Sequence, residues 1–594
     1  MQWPLEPLQS LLLGYNVSTA VTQSMRLLEP FQYFLSGYNI SAAAPSTCRC
    51  IPEDDCWPRA EEWIELNKTV GGRLIAMTPA TMLGAVCHDP QYDQAACEIA
   101  RKNWNECHFQ FNHRSHMDPA SFIMPYFQNR TCDPFTPREQ QCVLGHHSDY
   151  LINISGPADI AAGLKFASEK NIRLVIKNTG HDYLGKSTGS GALSLWTHHL
   201  KTLDLLSYNS PSYTGSAIKL GAGVQSYEAY PFANSHGLRI IGGECPTVGL
   251  AGGYTAGGGH SPLSSIYGLA ADSVLSWEVV IANGTLLTAS QEENSDLYWA
   301  LSGGGGGTYG VVTSMTVIAY PEGPVGGAFL TFSPEEIDET AYWNAVEVWH
   351  ASLPDIVDAG AMALYAAFKT SFRALLTVPE YTSEETQQLL NPLLENLAAL
   401  KIPHKLDITY FPTYFQHFET YFGPLPFGWF PAEQLTNGRL IPRSIISENN
   451  KALTAVAKGI SNTPYFGFAG IALNVNHFPP GINSVHPAWR DTLISASIPG
   501  IWNFSDPFNS NEELQRNNTE VVGHLLKTIT PGSGTYMNEA DFRDPDWKDA
   551  FYGKNYQRLR EIKSKYDPNG LFYATTAVGS DEFKVDDMGR LCKA

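Results

Sequence analysis

Three glycine-rich clusters, each between strand-like runs, restrict the fold of this 594-residue chain more than any other feature of its sequence. They are the turn Asn178-Thr179-Gly180-His181, the segment 242–259 (GGECPTVGLAGGYTAGGG) and the segment 303–307. Glycine allows positive φ and lets backbone N–H groups approach a ligand such as a pyrophosphate. A flexible linker is the alternative, but it does not suit clusters inside a dense α/β region. Since neither longer cluster matches GxxxxGK[ST] and no GxGxxG follows the first strand, the sequence predicts a dinucleotide site outside a Rossmann fold.

The size and charge of the chain limit its partners. With 43% hydrophobic residues it can bury two or three cores, and it lacks the composition of a disordered chain. Its 39 Lys and Arg residues against 59 Asp and Glu residues give a net charge of −20, which disfavours nucleic acid as a partner. No run approaches the roughly 20 apolar residues of a membrane-spanning helix, so no membrane partner is expected. The apolar run Leu11 to Leu13 is too short for a signal peptide, so a signal was either removed or never present.

Cysteines and glycosylation sequons both indicate an oxidising compartment. Eight of the ten cysteines lie in the first quarter of the chain, which predicts a disulfide framework: Cys48, Cys50, Cys56, Cys87, Cys97, Cys107, Cys132 and Cys142. A metal site is the alternative, but no repeated CxxC pair or HxxxH accompanies them. If Cys245 has another role, nine cysteines remain, and one of them is free or differently paired. Eight Asn-x-Ser/Thr sequons add to the expectation of a secreted or secretory-pathway protein with N-glycans: Asn16, Asn39, Asn67, Asn129, Asn153, Asn283, Asn503 and Asn517.

Changes of pattern along the chain predict an α+β protein of four parts. Residues 1–140 form a cysteine-rich N-terminal extension packed on the main body. Residues 141–322 contain an amphipathic helix pattern at 157–171 before a short apolar run, and later a hairpin that turns at Asn283-Gly284. Residues 323–525 alternate helix-like and strand-like segments and are predicted to build the substrate pocket. Residues 526–594 are predicted to return to the 141–322 domain.

Four segments resemble a known group of flavoproteins. IRLVIKNTGHDYLGKSTGSGALSL (172–195) resembles the vanillyl alcohol oxidase/p-cresol methylhydroxylase (PCMH-type) proteins, in which a histidine after glycine bonds the flavin. The segment 242–284 is similar to the berberine-bridge-enzyme-like branch, in which a cysteine followed by PTVG bonds the flavin. DLYWALSGGGGGTYGVVTSMTV (296–317) resembles the strand that closes the same domain. YDPNGLFYATTAVGSDEF (566–583) resembles the closing segment of fungal isoamyl-alcohol-oxidase-like members.

The resemblance implies a PCMH-type, two-subdomain FAD-binding domain and an α+β substrate domain with an antiparallel sheet covered by helices. It implies covalent FAD, bonded through His181 to the 8α-methyl group and through Cys245 to C6. A structural histidine and an inert buried thiol are the alternatives, but each residue lies in a full local motif. The other positions that match FAD-contacting residues are Asn178, Thr179, Gly180, Gly185, Thr247, Val248, Gly249, Gly252, Gly253, Gly257, Gly258, Gly310, Val312 and Tyr573.

Four residues are candidates for the substrate side of the flavin. Tyr183 matches the tyrosine of the family's HxY pattern, with a core aromatic as the alternative. His260 stands where many relatives carry Tyr or Phe, and it is either a general base or a partner of a glycine-loop carbonyl. In YMNEAD (536–541), which resembles the family's YxNYxD segment, Tyr536 is kept and Glu539 replaces the second tyrosine as a candidate base. Because that tyrosine helps to deprotonate sugars in many relatives, its replacement disfavours a carbohydrate oxidase. Val248 matches the family position beside the flavin at which a valine is associated with access of O2 to the flavin.

The function expected from these residues is that of an oxidase. A small alcohol or secondary-metabolite intermediate would give hydride to FAD, a protein base would take the proton, and O2 would accept the electrons as H2O2. Oxidative cyclisation or redox-neutral isomerisation in secondary metabolism is a second hypothesis, and a carbohydrate oxidase is a further alternative. A secreted glycoprotein that uses the fold only for binding is a non-enzymatic alternative.

Overall fold

The computed structural model describes residues 47–106, 109, 123–128, 131–335, 337–428, 430, 434–479, 481–586 and 588–594. Cys107 and the sequons at Asn16, Asn39 and Asn129 lie outside these described residues. Helices and strands alternate along the chain, and the larger strands form three sheets.

The strands of the three sheets are, in chain order, β1 (Leu74–Ala76), β2 (Tyr150–Asn153), β3 (Arg173–Lys177), β4 (Ala192–Trp196), β5 (Leu203–Asn209), β6 (Thr214–Gly221), β7 (Val274–Val280), β8 (Leu286–Ser290), β9 (Val311–Ile318), β10 (Val325–Phe332), β11 (Met362–Ala367), β12 (Phe372–Pro379), β13 (Lys405–Phe411), β14 (Gln434–Pro442), β15 (Phe468–Ala472) and β16 (Thr492–Ile501). Two further ribbons pair Leu238–Arg239 with Tyr320–Pro321 and Phe583–Val585 with Leu591–Lys593.

The α-helices are α1 (Ala60–Thr69), α2 (Gln94–Asn103), α3 (Pro125–Gln128), α4 (Pro157–Glu169), α5 (Ser226–Ser235), α6 (Ser264–Tyr267), α7 (Ser295–Leu301), α8 (Glu339–Asp358), α9 (Ser383–Ala399), α10 (Tyr414–Phe422), α11 (Arg443–Asn462), α12 (Phe508–Asn517), α13 (Gly523–Ile529), α14 (Trp547–Tyr552) and α15 (Tyr556–Tyr566). Among the described residues, none of these helices has both the length and the apolar character needed to cross a bilayer.

The first sheet has the strand order β1-β2-β4-β3, and β2, β3 and β4 are parallel. Helix α4 connects β2 to β3, as the sequence pattern at 157–171 predicts. It begins with Pro157 after Gly156, which suits the first turn because proline lacks the N–H that would be unpaired there. Its residues Ile160 and Leu164 are buried against the sheet, so the strand-like run at 174–176 becomes an interior strand.

The second sheet is antiparallel, with the strand order β5-β6-β9-β7-β8. The hairpin between β7 and β8 turns where the sequence predicts, because Gly284 has a φ of +83° and its N–H donates to the carbonyl oxygen of Ile281. Helix α5 lies between β6 and the long glycine-rich segment, and the positive φ of Gly237 ends it as expected for a glycine C-cap.

The third sheet has seven antiparallel strands in the order β13-β10-β12-β11-β15-β16-β14. Helices α8, α9 and α11 cover it, and the interface buries large side chains such as Trp349, Tyr342 and Leu353. Each such burial contributes about 1.5–3 kcal/mol of hydrophobic stabilisation. The predicted antiparallel sheet covered by helices is therefore confirmed, and so is the α+β fold class.

The N-terminal and C-terminal parts are tied to the first sheet. Strand β1, from the predicted extension, pairs with β2, and Phe572 forms a bridge to Leu174 of β3. The disulfide Cys48–Cys592 joins residues 544 positions apart. Three local disulfides accompany it, namely Cys50–Cys56, Cys87–Cys97 and Cys132–Cys142, which confirms a disulfide framework for the described cysteines. The four domain boundaries stay a prediction.

Candidate active site

A cavity lies where the first two sheets meet the C-terminal segment, and parts of all three glycine-rich clusters line it. Sixteen of the twenty site residues predicted from the sequence line this cavity: Asn178, Thr179, Gly180, His181, Tyr183, Cys245, Val248, Gly249, Gly252, Gly253, His260, Gly310, Val312, Tyr536, Glu539 and Tyr573.

The other four predicted residues, Gly185, Thr247, Gly257 and Gly258, do not line the cavity. A Cβ on Gly185 would lie 2.5 Å from the ring of Phe127, and one on Gly257 would lie 2.3 Å from Oδ1 of Asn538. Gly258 has a φ of +124°, a conformation that favours glycine. These glycines therefore shape the turns behind the cavity.

Thr247 connects the two predicted attachment residues. Its Oγ1 lies 2.8 Å from Nε2 of His181 and 3.5 Å from Sγ of Cys245. Burial lowers the pKa of His181 to about 3, so its imidazole is neutral and keeps a lone pair. Burial also raises the pKa of Cys245 to about 11, although its contacts with Thr247 act in the opposite direction. Cys245 is the one described cysteine outside a disulfide.

Helix α5 holds the turn that carries Cys245. The backbone N–H groups of Ser226 and Tyr227, at the start of the helix, donate to the carbonyl oxygens of Val248 and Pro246. The side-chain amide of Gln225 donates to the carbonyl oxygen of Thr247 at 2.5 Å. Because the first N–H groups of a helix have no partner within it, this turn both satisfies them and gains a fixed position.

The loop after β3 carries His181. The indole N–H of Trp196 donates to the carbonyl oxygen of Asn178, and the N–H of Ile123 donates to that of Gly180. Gly180 has a φ of +91°, which turns the chain toward the cavity. The predicted N-terminal extension thus contributes directly to this loop through Ile123, which also lines the cavity.

Close backbone contacts form a cradle along one side of the cavity. A Cβ on Gly252 would lie 2.8 Å from Nδ2 of Asn178, and one on Gly306 would lie 2.8 Å from Cα of Gly253. The Asn178 amide donates to the carbonyl oxygen of Ala222 at 2.5 Å, whereas its Oδ1 is buried with no hydrogen-bond partner. Only glycine allows chains to approach this closely, and the orphaned oxygen can accept a hydrogen bond from a ligand. Gly305, Gly306 and Gly307 line the cavity too, although the predicted set omits them.

A buried chain of charges lies at another part of the cavity. Nδ1 of His260 is 3.2 Å from Oε1 of Glu244, and Nε2 is 2.8 Å from Oε1 of Glu539. Burial lowers the pKa of His260, but the two carboxylates outweigh it and raise that pKa well above its usual value. The ring of His260 therefore contacts carboxylates and not a glycine-loop carbonyl. An imidazolium held in this way is also poorly suited to act as the general base predicted from the sequence.

Sequence reasoning missed Glu244, Asn538, Asp182 and Lys186. Glu244 directly precedes Cys245, and an acidic residue inside a buried glycine-rich segment is the signal that could have found it. Asn538 donates to the carbonyl oxygen of Gly253 and to the hydroxyl of Tyr536. The Asp182 carboxylate accepts the N–H groups of Leu184, Lys186 and Ser187, and burial lowers the pKa of the Lys186 amine to about 8.

An apolar wall completes the cavity. Ile123 is buried against the side chains of Tyr183 and Phe430, and the hydroxyl of Tyr183 accepts the side-chain N–H of Gln434. Phe430 is the one residue from 323–525 that lines the cavity in the described part of the chain. The walls of this cavity come mainly from the glycine clusters and from 536–539. That residues 323–525 build the substrate pocket stays a prediction.

Comparison with known proteins agrees with this geometry. The chain matches the FAD binding domain family over residues 149–290 and the berberine and berberine-like family over residues 535–579. The crystal structure of the VAO-type flavoprotein MtVAO615 from Myceliophthora thermophila C1 matches with a TM-score of 0.88 and 44% identity, covering 92% of this chain and all of that one. The chain belongs to the VAO-type FAD-linked oxidoreductases. Two fungal relatives extend the comparison: FAD-linked oxidoreductase ZEB1 of Gibberella zeae and bifunctional decalin synthase calF of Penicillium decumbens. Each is 44% identical to this chain, and each match covers 92% of this chain. The matches cover 95% of ZEB1 and 96% of calF.

The residues of this VAO-type oxidoreductase fit FAD, the cofactor of the family. All three glycine-rich clusters line the cavity, the close packing of Gly252, Gly253 and Gly306 lets a ligand approach backbone groups, and Asn178 offers an unpaired acceptor. The protein is thus a flavin-dependent oxidoreductase, as the resemblance implies.

Proposed function

We propose that this protein is an oxidase whose FAD is attached through both His181 and Cys245. The observation that carries the proposal is the meeting of both side chains at the Thr247 hydroxyl, where they face one cavity. The 8-methyl group and C6 belong to the same benzenoid ring of the flavin, so two attachment points close together suit one ring. A neutral imidazole and a cysteine sulfur are also the nucleophiles that such a ring would accept.

Bound FAD would supply the acceptor for the hydride of the donor carbon and would deliver the electrons to O2 as H2O2. The protein's own residues orient the donor, exclude water and accept the hydroxyl proton. Val248 lines the cavity where the resemblance associates valine with oxygen access. Small alcohols are the proposed donors, and intermediates of secondary metabolism are included because similar fungal proteins bear names such as decalin synthase.

Oxidative cyclisation or isomerisation is a second candidate function. The name of calF, a bifunctional decalin synthase, favours it because ring formation lies outside simple alcohol oxidation. A carbohydrate oxidase has less support, because Glu539 replaces the tyrosine expected in sugar-oxidising relatives.

A secretory-pathway location is proposed on chemical grounds. The four disulfides are stable in an oxidising compartment, and the sequon residues Asn283 and Asn503 are exposed. Digestion of the purified protein with an N-glycosidase should lower its mass by one or more glycans. An unchanged mass would contradict the glycan proposal without affecting the assignment as an oxidoreductase.

The oxidase function is tested with a panel of primary and secondary alcohols, with H2O2 release and anaerobic bleaching of the flavin as readouts. The proposal expects at least one alcohol to bleach the flavin and to release H2O2 when air is admitted. If no alcohol does so while a polyene or another unsaturated compound is converted without H2O2, the second candidate function replaces it.

A further inference from the structure

A buried unit is formed by three side chains, Glu244, His260 and Glu539. The motifs that carry the family resemblance do not predict this unit. We propose that Glu539 accepts the hydroxyl proton of an uncharged alcohol and that Glu244 is a positioning residue that keeps His260 as an imidazolium beside it. This inference rests on the proposed oxidase function and specifies its base and its substrate class.

The geometry around His260 requires two ring protons. Both ring nitrogens face a carboxylate oxygen, at 3.2 Å for Glu244 and 2.8 Å for Glu539. A neutral imidazole has one nitrogen lone pair, which would then point at a carboxylate oxygen that also carries only lone pairs. An imidazolium donates to both carboxylates instead, and such charge-assisted hydrogen bonds are the strong ones in a buried site.

The other titratable groups near this unit are four phenols and the thiol of Cys245, whose pKa is raised by burial and by the charge of Glu244. The hydroxyl of Tyr254 donates to the backbone carbonyl of His260, and the ring of Tyr536 packs edge-on against the imidazole at 5.2 Å. Tyr230 and Tyr414 lie close enough to Glu244 to feel its charge. Burial raises the pKa of all four phenols, so they stay neutral. Glu244 and Glu539 are therefore the charges that face His260 in the described structure.

Glu539 keeps an unused carboxylate oxygen at the cavity. Its Oε1 accepts from His260, whereas its Oε2 is buried with no hydrogen-bond partner. A buried oxygen without a hydrogen-bond partner is unfavourable, and a donor hydroxyl in the cavity would satisfy it. The hydrogen bond from His260 fixes the position of this carboxylate beside the cavity.

The remaining candidates are less suited to take the proton. Both nitrogens of His260 already face carboxylates. The hydroxyl of Tyr536 accepts from the Asn538 amide, and burial raises the pKa of this phenol well above its usual value, so it holds its own proton. The hydroxyl of Tyr183 accepts from Gln434 on the apolar side of the cavity.

The charge of the unit indicates the class of donor. Two carboxylates and one imidazolium leave one net negative charge, which repels anionic donors such as hydroxy acids. Ile123, Tyr183 and Phe430 offer an apolar surface in the same cavity. The substrate class that fits is an uncharged alcohol with an apolar body.

In the proposed step the alcohol loses a proton and a hydride. The O–H bond of the alcohol breaks and its proton goes to Oε2 of Glu539, while the C–H bond breaks and its electron pair leaves as hydride to FAD. The carbon–oxygen bond becomes a carbonyl. O2 then takes two electrons and two protons to form H2O2: one proton comes from the transferred hydride, and the other balances the one that Glu539 took. Glu539 returns to the carboxylate when it releases its proton.

The protonation state of His260 can be measured without turnover. NMR signals of ¹⁵N-labelled histidine rings are recorded for the holoprotein at pH 7. The signal that is missing in His260→Gln belongs to His260, and the same signal should shift in Glu539→Gln, which gives a second, independent assignment. We expect both ring nitrogens to carry protons in the wild type and only one in Glu244→Gln/Glu539→Gln. Glu520→Gln, an exposed carboxylate away from this unit, should leave the signal unchanged. A neutral imidazole in the wild type overturns the proposal.

The role of Glu539 is measured with the fastest alcohol from the panel. Anaerobic flavin bleaching should slow by about 10²–10⁴-fold in Glu539→Gln, the range for loss of a general base, and Glu539→Asp should recover part of the rate. Glu244→Gln should lose less activity but should change the pH profile of bleaching. An undiminished rate in Glu539→Gln overturns the assignment. If no alcohol in the panel bleaches the flavin, the oxidase proposal fails, and the histidine signals still decide whether the charged unit exists.

Discussion

At the residue scale, one hydroxyl organises the two side chains that are proposed to hold the flavin. Thr247 contacts His181 and Cys245, and its backbone is fixed by Gln225. The Thr247 hydroxyl therefore helps to orient the imidazole of His181.

Thr247→Val keeps the shape of the side chain but removes the hydroxyl. We expect incomplete attachment, with a larger share of flavin released into the supernatant on acid precipitation, and a loss of about 1 kcal/mol of stability for the missing hydrogen bond. Thr247→Ser, which keeps the hydroxyl, is the matched control and should attach flavin like the wild type. Wild-type attachment in Thr247→Val would show that Thr247 plays no part in orienting His181.

At the scale of elements, turns between strands create the site, and their tight packing explains the glycine clusters. The segment 249–253 and the segment 303–307 approach so closely that their backbones are nearly in contact. Helix α5 fixes the turn 246–248, directly before the first of these segments, through the N–H groups of its first turn.

Gly306→Ala tests this packing. The added methyl group would lie 2.8 Å from Cα of Gly253, so the two segments must separate, and we expect lower FAD content per protein, measured by the ratio of visible to 280 nm absorption. Gly156→Ala, where the added methyl group meets no atom within 4 Å, is the control and should load FAD normally. Equal FAD content in both variants would contradict a cradle built by close backbone approach.

Sequence patterns predicted these elements better than they predicted the site's charges. The helix expected at 157–171 is present as Pro157–Glu169, and the hairpin at Asn283-Gly284 is confirmed, because periodicity and turn chemistry are local signals. The pairing of His260 with Glu244 and Glu539 brings together three distant segments, so no local pattern encodes it. Phe430 and Ile123 were missed for the same reason, since only the tertiary fold places them at the cavity.

At the scale of the whole molecule, the disulfide Cys48–Cys592 joins the N-terminal part to the C-terminal strand. Removing both cysteines by serine substitution should lower the free energy of unfolding by about 2–5 kcal/mol, measured by denaturant titration. The double substitution of Cys132 and Cys142, only 10 positions apart, is the control and should cost less, because a shorter loop restricts the unfolded chain less. A larger loss for the short loop would contradict this account.

The buried histidines should make the whole protein sensitive to acid. Burial lowers the pKa of His350 and His417 to about 3 and that of His486 to about 4, from 6.5. The unfolded chain therefore binds more protons than the folded chain below pH 6.5, so the stability that these groups provide above that pH is lost as the pH falls toward their folded values. The melting temperature should fall steeply from pH 6.5 to pH 4.

His350→Gln should flatten this dependence, because glutamine does not titrate and can still contact Thr454, the present partner of His350. His477→Gln, at an exposed position, should leave the slope unchanged. An identical slope in His350→Gln and the wild type would show that other groups control the acid sensitivity.

Attachment of the flavin through both residues is tested by the mass of the flavin-bearing peptides after acid precipitation and proteolysis of the purified protein. We expect the yellow colour to stay in the pellet and one FAD to join the peptide containing His181 to the peptide containing Cys245. Flavin on one peptide alone, or flavin released into the supernatant, would contradict attachment through both residues.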